Sequence, residues 1–419
     1  MITTKKIAFF FLLLNIFCFQ QNEVLAFTMD VPKSDKNFTT EISYRIIGNL
    51  NIIPVEINNN TYQFIFDTGA RTTVVNSTII NQINHNIAGT TNIKDANKDT
   101  KELKKVAIPK IRIGEKEFKN PVVISMPTSD YFKRFGCEKI DGIIGYDIIK
   151  KVKWKIDPKN KKITLSDQIE NFNIQETQHK FKLKTTEYVS YIDTKINGSK
   201  TKLKLDTGFN KYFCINYPFY EYLKSKSNNI QQVKSQGWVK TSLHGKNNGT
   251  LNTIQAESIQ IGDITLENQI IYNSKNTPLL LGNGFLNNFI TIIDIQKKQL
   301  FLDPIKSLEN EKIIDFDLKI GPDYQTNRII VKNIFEEHSL ETTIKPGSQI
   351  IGVNSVDVSN FTKQELCDFW NTQWKTHHGK STIRIEIFEE DSNTSKEITL
   401  TKNQILPRIT NEMRKKELN

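Results

Sequence analysis

Val55-Glu56-Ile57-Asn58-Asn59-Asn60-Thr61-Tyr62-Gln63-Phe64-Ile65-Phe66-Asp67-Thr68-Gly69 aligns without a gap on Thr194-Lys195-Ile196-Asn197-Gly198-Ser199-Lys200-Thr201-Lys202-Leu203-Lys204-Leu205-Asp206-Thr207-Gly208. Each copy reads as a strand ending in Ile-Asn, a polar turn, and an alternating strand that stops at Asp-Thr-Gly. A second matched pair follows at nearly the same spacing. Ile143-Ile144-Gly145 leads into Tyr146-Asp147-Ile148-Ile149, and Leu280-Leu281-Gly282 leads into Asn283-Gly284-Phe285-Leu286. Two pairings in step mark an internal duplication. The periodicity on either side is that of short strands between Asn, Gly and Lys turns. Brief helices are expected only after each hydrophobic-hydrophobic-Gly and over Tyr217 to Lys226.

The rest of the 419 residues sets the boundaries. Lys5 and Lys6, the apolar run Ile7 to Phe19 and the small residue Ala26 form the pattern of a secretory signal peptide over 1–26. Its removal lowers the formal charge from +11 to +10 by taking Lys5, Lys6 and Glu23. No later stretch is long and apolar enough to span a membrane, so the expected mature chain is exported to the periplasm or outside the cell. The basic excess lies in Lys-rich turns with no recognition helix, which argues against nucleic acid as a partner. No Cys-x-x-Cys or His-Glu-x-x-His occurs, so no metal site and no cofactor are expected. Loss of Cys18 leaves Cys137, Cys214 and Cys367, an odd number that makes any disulfide optional. His377-His378 reads as an exposed loop pair.

A single Asp-Thr-Gly is weak evidence, because an Asp beside Gly often just caps its own turn. Two copies at matched positions of a duplication can meet across a pseudo-two-fold axis, with Asp67 opposite Asp206. Like charges in contact resist double ionisation, so such a pair shares one proton. One carboxylate can then deprotonate a water while its protonated partner donates to a carbonyl. Thr68 and Thr207 can tie each loop to the opposite half, and Gly69 and Gly208 allow the tight turn.

Asp67-Thr68-Gly69-Ala70 with Gly145, and Asp206-Thr207-Gly208 with Gly282, resemble the retropepsin/pepsin clan of aspartic proteases. More narrowly, the chain resembles bacterial exported aspartyl proteases with two fused lobes and a C-terminal PDZ domain. The implied fold is mostly β. Two acid protease lobes, residues 27–170 and 171–304, arise from the duplication, and a small PDZ-like α+β domain follows at 311–403. The implied function is an aspartic endopeptidase, with Asp67 and Asp206 catalytic and a polypeptide substrate extended in the cleft between the lobes. Both aspartates lie in one chain, so a monomer is expected. The alternative is an inactive peptide-binding protein on the same fold.

Two features depart from that pattern. Phe209 places a bulky ring where the first copy has Ala70. The flaps are indistinct: Ile93 to Lys105 lacks a tyrosine, and Gly237 to Leu251 offers Trp238 as the candidate flap residue. In the PDZ-like part, Lys345-Pro346-Gly347-Ser348-Gln349-Ile350-Ile351-Gly352-Val353-Asn354 resembles the turn-strand-Asn signature, and Thr362 to Trp370 has helical spacing. A peptide C-terminus is its candidate partner, added as a strand. Ile320-Gly321-Pro322 is the candidate for the carboxylate-binding loop.

Overall fold

A computed structural model describes residues 37–94, 100–127, 135–175, 178–227, 230–242, 245–275, 277–308, 312–336, 344–389 and 392–406. The expected signal peptide, 1–26, and the tip of the first candidate flap at 95–99 lie outside the described residues. The architecture is mostly β.

Each half opens on a hairpin. Leu50–Ile57 turns into Asn60–Phe66 through Asn58 and Asn59, and Ser190–Ile196 turns into Ser199–Asp206 through Asn197 and Gly198. Both turn residues have positive φ in each case, at 50° and 61° and at 46° and 75°. Two-residue loops of this hand match the strand twist, and Asn and Gly tolerate the left-handed backbone. A later strand then inserts beside the hairpin. Gly142–Ile144 runs parallel to Asn60–Phe66 and antiparallel to Val74–Asn76. Leu280–Gly282 repeats this against Ser199–Asp206 and Phe213–Ile215. The short helices Tyr146–Ile149 and Asn283–Leu286 follow. We refer to these as the first and second β units.

A six-stranded sheet crosses between the units in the order Thr39–Ser43, Lys162–Ser166, Lys153–Asp157, Phe289–Asp294, Gln299–Pro304, His179–Lys182. Its central seam pairs Trp154 with Ile293 and Ile156 with Thr291. One apolar cluster runs through both units and over this sheet. Trp154 anchors it, fully buried, 4.9 Å from the Phe66 ring and donating its indole N–H to Ile149 O at 2.8 Å. This shared floor fixes the two units relative to each other.

The C-terminal segment has its own core, with Leu318, Val331, Ile350, Val353, Leu366 and Phe369 among its members. Its helix is longer than the spacing suggests and continues from Lys363 to Gly379, widening into a π turn over Phe369–Gln373. Thr362 and Glu365 close its start as a capping box. His377 and His378 therefore sit on the last helical turn and not in an exposed loop. Asn354 Nδ2 lies 2.7 Å from His377 Nδ1, and His378 Nε2 lies 3.1 Å from Asp315 Oδ1. Ile320-Gly321-Pro322 is likewise no loop: it lies within the strand Leu318–Asp323, paired with Ile329, Ile330 and Val331.

A strand pairing and a disulfide bind this segment to the rest. Arg328–Phe335 pairs with Gln232–Ser242 of the second unit, Gly237 opposite Asn333. Cys137 of the first unit is disulfide-bonded to Cys367 on the helix, with Cα atoms 5.4 Å apart. The odd cysteine count thus resolves into one bridge and a buried thiol at Cys214.

Candidate active site

The strands Asn60–Phe66 and Ser199–Asp206 end at Asp67 and Asp206, and each chain then turns sharply. Ala70 N donates to Asp67 O at 3.3 Å, and Phe209 N donates to Asp206 O at 3.1 Å. The carboxylates accept from the same turns. Asp67 Oδ1 takes the N–H groups of Gly69 (2.7 Å) and Ala70 (3.0 Å), and Asp206 Oδ1 takes that of Gly208 at 3.1 Å.

The loops interlock. Thr68 Oγ1 donates to Leu205 O at 2.9 Å and accepts from Thr207 N at 3.1 Å. Thr207 Oγ1 donates to Phe66 O at 2.8 Å and accepts from Thr68 N at 2.9 Å. A Cβ on Gly69 would come within 2.3 Å of the Asp206 carboxyl carbon, and one on Gly208 within 2.2 Å of Asp67 Oδ2. Each carboxylate therefore lies over the opposing loop's glycine, where any side chain would displace it. That mutual overlap brings Asp67 and Asp206 together.

Gly145 and Gly282 hold the loops from behind. A Cβ on Gly145 would meet Thr72 C at 2.6 Å, and one on Gly282 would meet Lys211 O at 2.1 Å. Just beyond them, Tyr146 N donates to Ala70 O and Asn283 N to Phe209 O, each at 2.7 Å. The Phe209 ring packs against Gly282, whose missing side chain leaves room for it. Other contacts between the units are also exchanged in pairs. Tyr146 Oη lies 3.0 Å from Ser190 Oγ, and Asn51 Nδ2 donates to Asn283 Oδ1 at 3.4 Å. Arg71 stacks 3.2 Å over the Tyr188 ring, while Asn49 Nδ2 donates to Asn210 O at 3.1 Å.

Electrostatically the pair is uneven. Asp67 is 9% exposed. Burial, reinforced by the Asp206 charge, pushes its pKa up to about 7 against the opposing pull of Lys204 and two backbone N–H groups. Lys204 is the residue that strand periodicity concealed. Its ammonium lies 3.4 Å from Asp206 Oδ2 and donates to Gly69 O at 2.7 Å. Among the described residues no three His, Cys, Asp or Glu side chains converge to hold a metal ion.

Trp238 packs on the C-terminal segment. Its ring faces Lys332 Nζ at 3.1 Å, and its carbonyl accepts from Asn333 Nδ2 at 3.0 Å. Gly237, at φ 136°, lets the backbones touch, since a Cβ there would fall 2.0 Å from Lys332 O. The hairpin that carries Trp238 is strapped to the C-terminal segment.

No helix of the described residues is long and apolar enough to cross a membrane. No curated protein matches the chain. Residues 53–148 match the family model described as aspartyl protease, a stretch that contains Asp67-Thr68-Gly69 and Gly145. This match over the first β unit supports aspartic-type protease activity on a polypeptide substrate.

Proposed function

We propose that the chain is an aspartic endopeptidase whose dyad is Asp67 and Asp206. The observation that carries this is the reciprocal overlap of each carboxylate with the opposite loop's glycine. Two carboxylates so placed hold one proton between them over the acidic range, the general logic of aspartic proteases. The ionised member takes a proton from a water, the water oxygen attacks the peptide carbonyl carbon, and the other member donates its proton to the carbonyl oxygen. The proton taken from water then passes to the amide nitrogen, the C–N bond breaks, and the hydroxyl proton of the collapsing gem-diol returns to the dyad. On this reading the β units are two fused acid protease lobes, and an extended polypeptide lies between them.

The C-terminal segment fits a PDZ-like domain. Among the described residues Leu318–Asp323 has one strand partner, Arg328–Phe335, so its other edge suits a peptide added as a strand. We further propose export with cleavage after residue 26, and a monomer as the working unit. A disulfide between Cys137 and Cys367 accords with an oxidising compartment.

The test is incubation of the mature protein with an unfolded polypeptide between pH 3 and pH 7, with and without pepstatin. Cleavage at acidic pH is expected. Absence of cleavage across that range by a folded protein would leave the peptide-binding alternative in its place.

A further inference from the structure

Lys204 precedes Asp206 by two residues on Ser199–Asp206, with its side chain 21% exposed. The matching position of the first unit is Ile65, fully buried in an apolar cluster with Ile52, Val74 and Ile143. One unit thus carries hydrocarbon at this position and the other an ammonium. The ammonium reaches both loops at once, Asp206 Oδ2 at 3.4 Å and Gly69 O at 2.7 Å.

We propose that Lys204 is a positioning residue that polarises the dyad, fixing the negative charge on Asp206 and leaving the shared proton on Asp67. Asp206 is then the base that takes the proton from water, and Asp67 the acid that donates to the carbonyl oxygen. The proposal rests on the dyad reading above and assigns the roles within it. A cation at this distance favours the ionised form of its nearest carboxylate. Among the described residues no cation lies as close to Asp67, whose Oδ1 accepts from two N–H groups, and burial works against its charge. The groups that face Lys204 are Asp206, Asp67 and Tyr191, which lies opposite it in the strand pair. Burial disfavours the ammonium, yet the two carboxylates more than offset this and hold Lys204 above the ordinary lysine range. The cation also neutralises a singly ionised dyad, which lets all three groups sit together in a poorly solvated cleft.

Three variants of the full chain separate charge from structure. Lys204→Gln keeps an N–H donor for Gly69 O and removes the charge, Lys204→Met removes both, and Lys204→Arg keeps the charge. Two readouts apply: carbon NMR titration of the aspartate carboxyls, and the pH profile of cleavage of an unfolded polypeptide. In wild type, Asp206 should carry the charge in the singly ionised state. Loss of the cation disfavours both ionisations, so in Lys204→Gln both titration steps and both limbs of the profile should move up by about one pH unit or more. Lys204→Arg should leave them within a few tenths. A folded Lys204→Gln that titrates like wild type, or a wild type whose charge resides on Asp67, would overturn the proposal. The NMR titration decides this even if the wild type cleaves nothing, so failure of the dyad reading and failure of the Lys204 assignment give different results.

Discussion

The two Asp-Thr-Gly loops share their geometry and differ in their electrostatics. Thr68 and Thr207 exchange the same four hydrogen bonds across 139 or so residues of chain, and Gly69 and Gly208 make the same room for the facing carboxylate. Around that frame, Ile65 of the first unit corresponds to Lys204 of the second, Ala70 to Phe209 and Asp147 to Gly284. The contrast has a chemical reason. Bringing two carboxylates into register needs matched loops, because an error in either one separates them. Peptide hydrolysis then asks different things of each: one must accept a proton while the other gives one. Symmetry survives where position is set, and is lost where charge is set.

The largest effect should come from breaking the matched part. Asp67→Asn and Asp206→Asn should each lower kcat/KM by about 10³-fold or more, because an amide can neither accept nor donate the transferred proton. The two losses should be alike despite the unlike surroundings, with folding checked by circular dichroism. If Asp206→Asn keeps near-normal activity, the second unit is scaffold and the comparison fails at its centre.

The next effect is on stability and tests the unmatched part. Asp67 has a carboxyl pKa raised from 3.8 to about 7, so the folded chain binds this proton more tightly than the unfolded one. The stability this lends is fully present below about pH 4 and is lost as pH rises through about 7, a change of several kcal/mol. Asp67→Asn removes the titration. Subtracting its denaturation free energies from those of wild type, pH by pH, should give a difference that falls between pH 4 and pH 7. A flat difference would mean that Asp67 is not the protonated member.

Much of this was legible in the sequence, for a physical reason. Hairpin turns, alternating strands and Asp-Thr-Gly are local features, and a duplication writes them twice at one spacing. What was hidden depends on distant chain. Lys202 and Lys204 alternate with Leu203 and Leu205, so both read as the wet face of a half-buried strand. Only the arrival of the Gly69 loop turns Lys204 into a partly buried group. Cys137 and Cys367 stand 230 residues apart, too far for spacing to suggest a bridge. The pairing of the strand that carries Trp238 with Arg328–Phe335 is likewise long-range and leaves no local signal. His377 and His378 sit on the last turn of a helix whose π turn the usual spacing does not anticipate.

The bridge extends the comparison to the C-terminal segment, which holds the second unit by backbone pairing and the first by a covalent bond. Gly136 packs on the Tyr324 ring and Cys137 joins Cys367, so both contacts come from one short stretch of the first unit. Replacing both cysteines by serine should cost about 2–5 kcal/mol, since the bridge closes a long loop of the unfolded chain. Guanidinium unfolding of wild type and the double variant measures it. Equal midpoints would show that strand pairing alone secures the segment, and that the two units are held in equivalent ways.

The smallest effect concerns how each loop is braced from behind. In the first unit Thr73 forms a relay: Gly145 N donates to its hydroxyl at 3.1 Å, and the hydroxyl donates to Asp147 Oδ1 at 2.8 Å. Asp147 Oδ1 also accepts from Thr73 N at 2.9 Å and Ile148 N at 3.0 Å. Burial pushes the Asp147 pKa up, while the Thr73 side-chain and backbone bonds pull it back. In the second unit the place of Asp147 is taken by Gly284, and main chain does the bracing: Gly282 N donates to Tyr212 O at 2.8 Å and Gly284 N to Lys211 O at 3.2 Å. A Cβ at Gly284 would meet Lys211 C at 2.8 Å, so that unit has no room for a carboxylate. Asp147→Ala strands the two Thr73 donors and should cost about 1–3 kcal/mol, whereas Asp147→Asn keeps an acceptor in place and should cost less. Because the brace lies behind Asp67 alone, Asp147→Ala should also lower kcat a few-fold by loosening one carboxylate relative to the other. Thermal melts and steady-state kinetics of the two variants measure both effects. If Asp147→Ala melts and turns over like wild type, the backbone bonds common to both units suffice, and this difference between them carries no function.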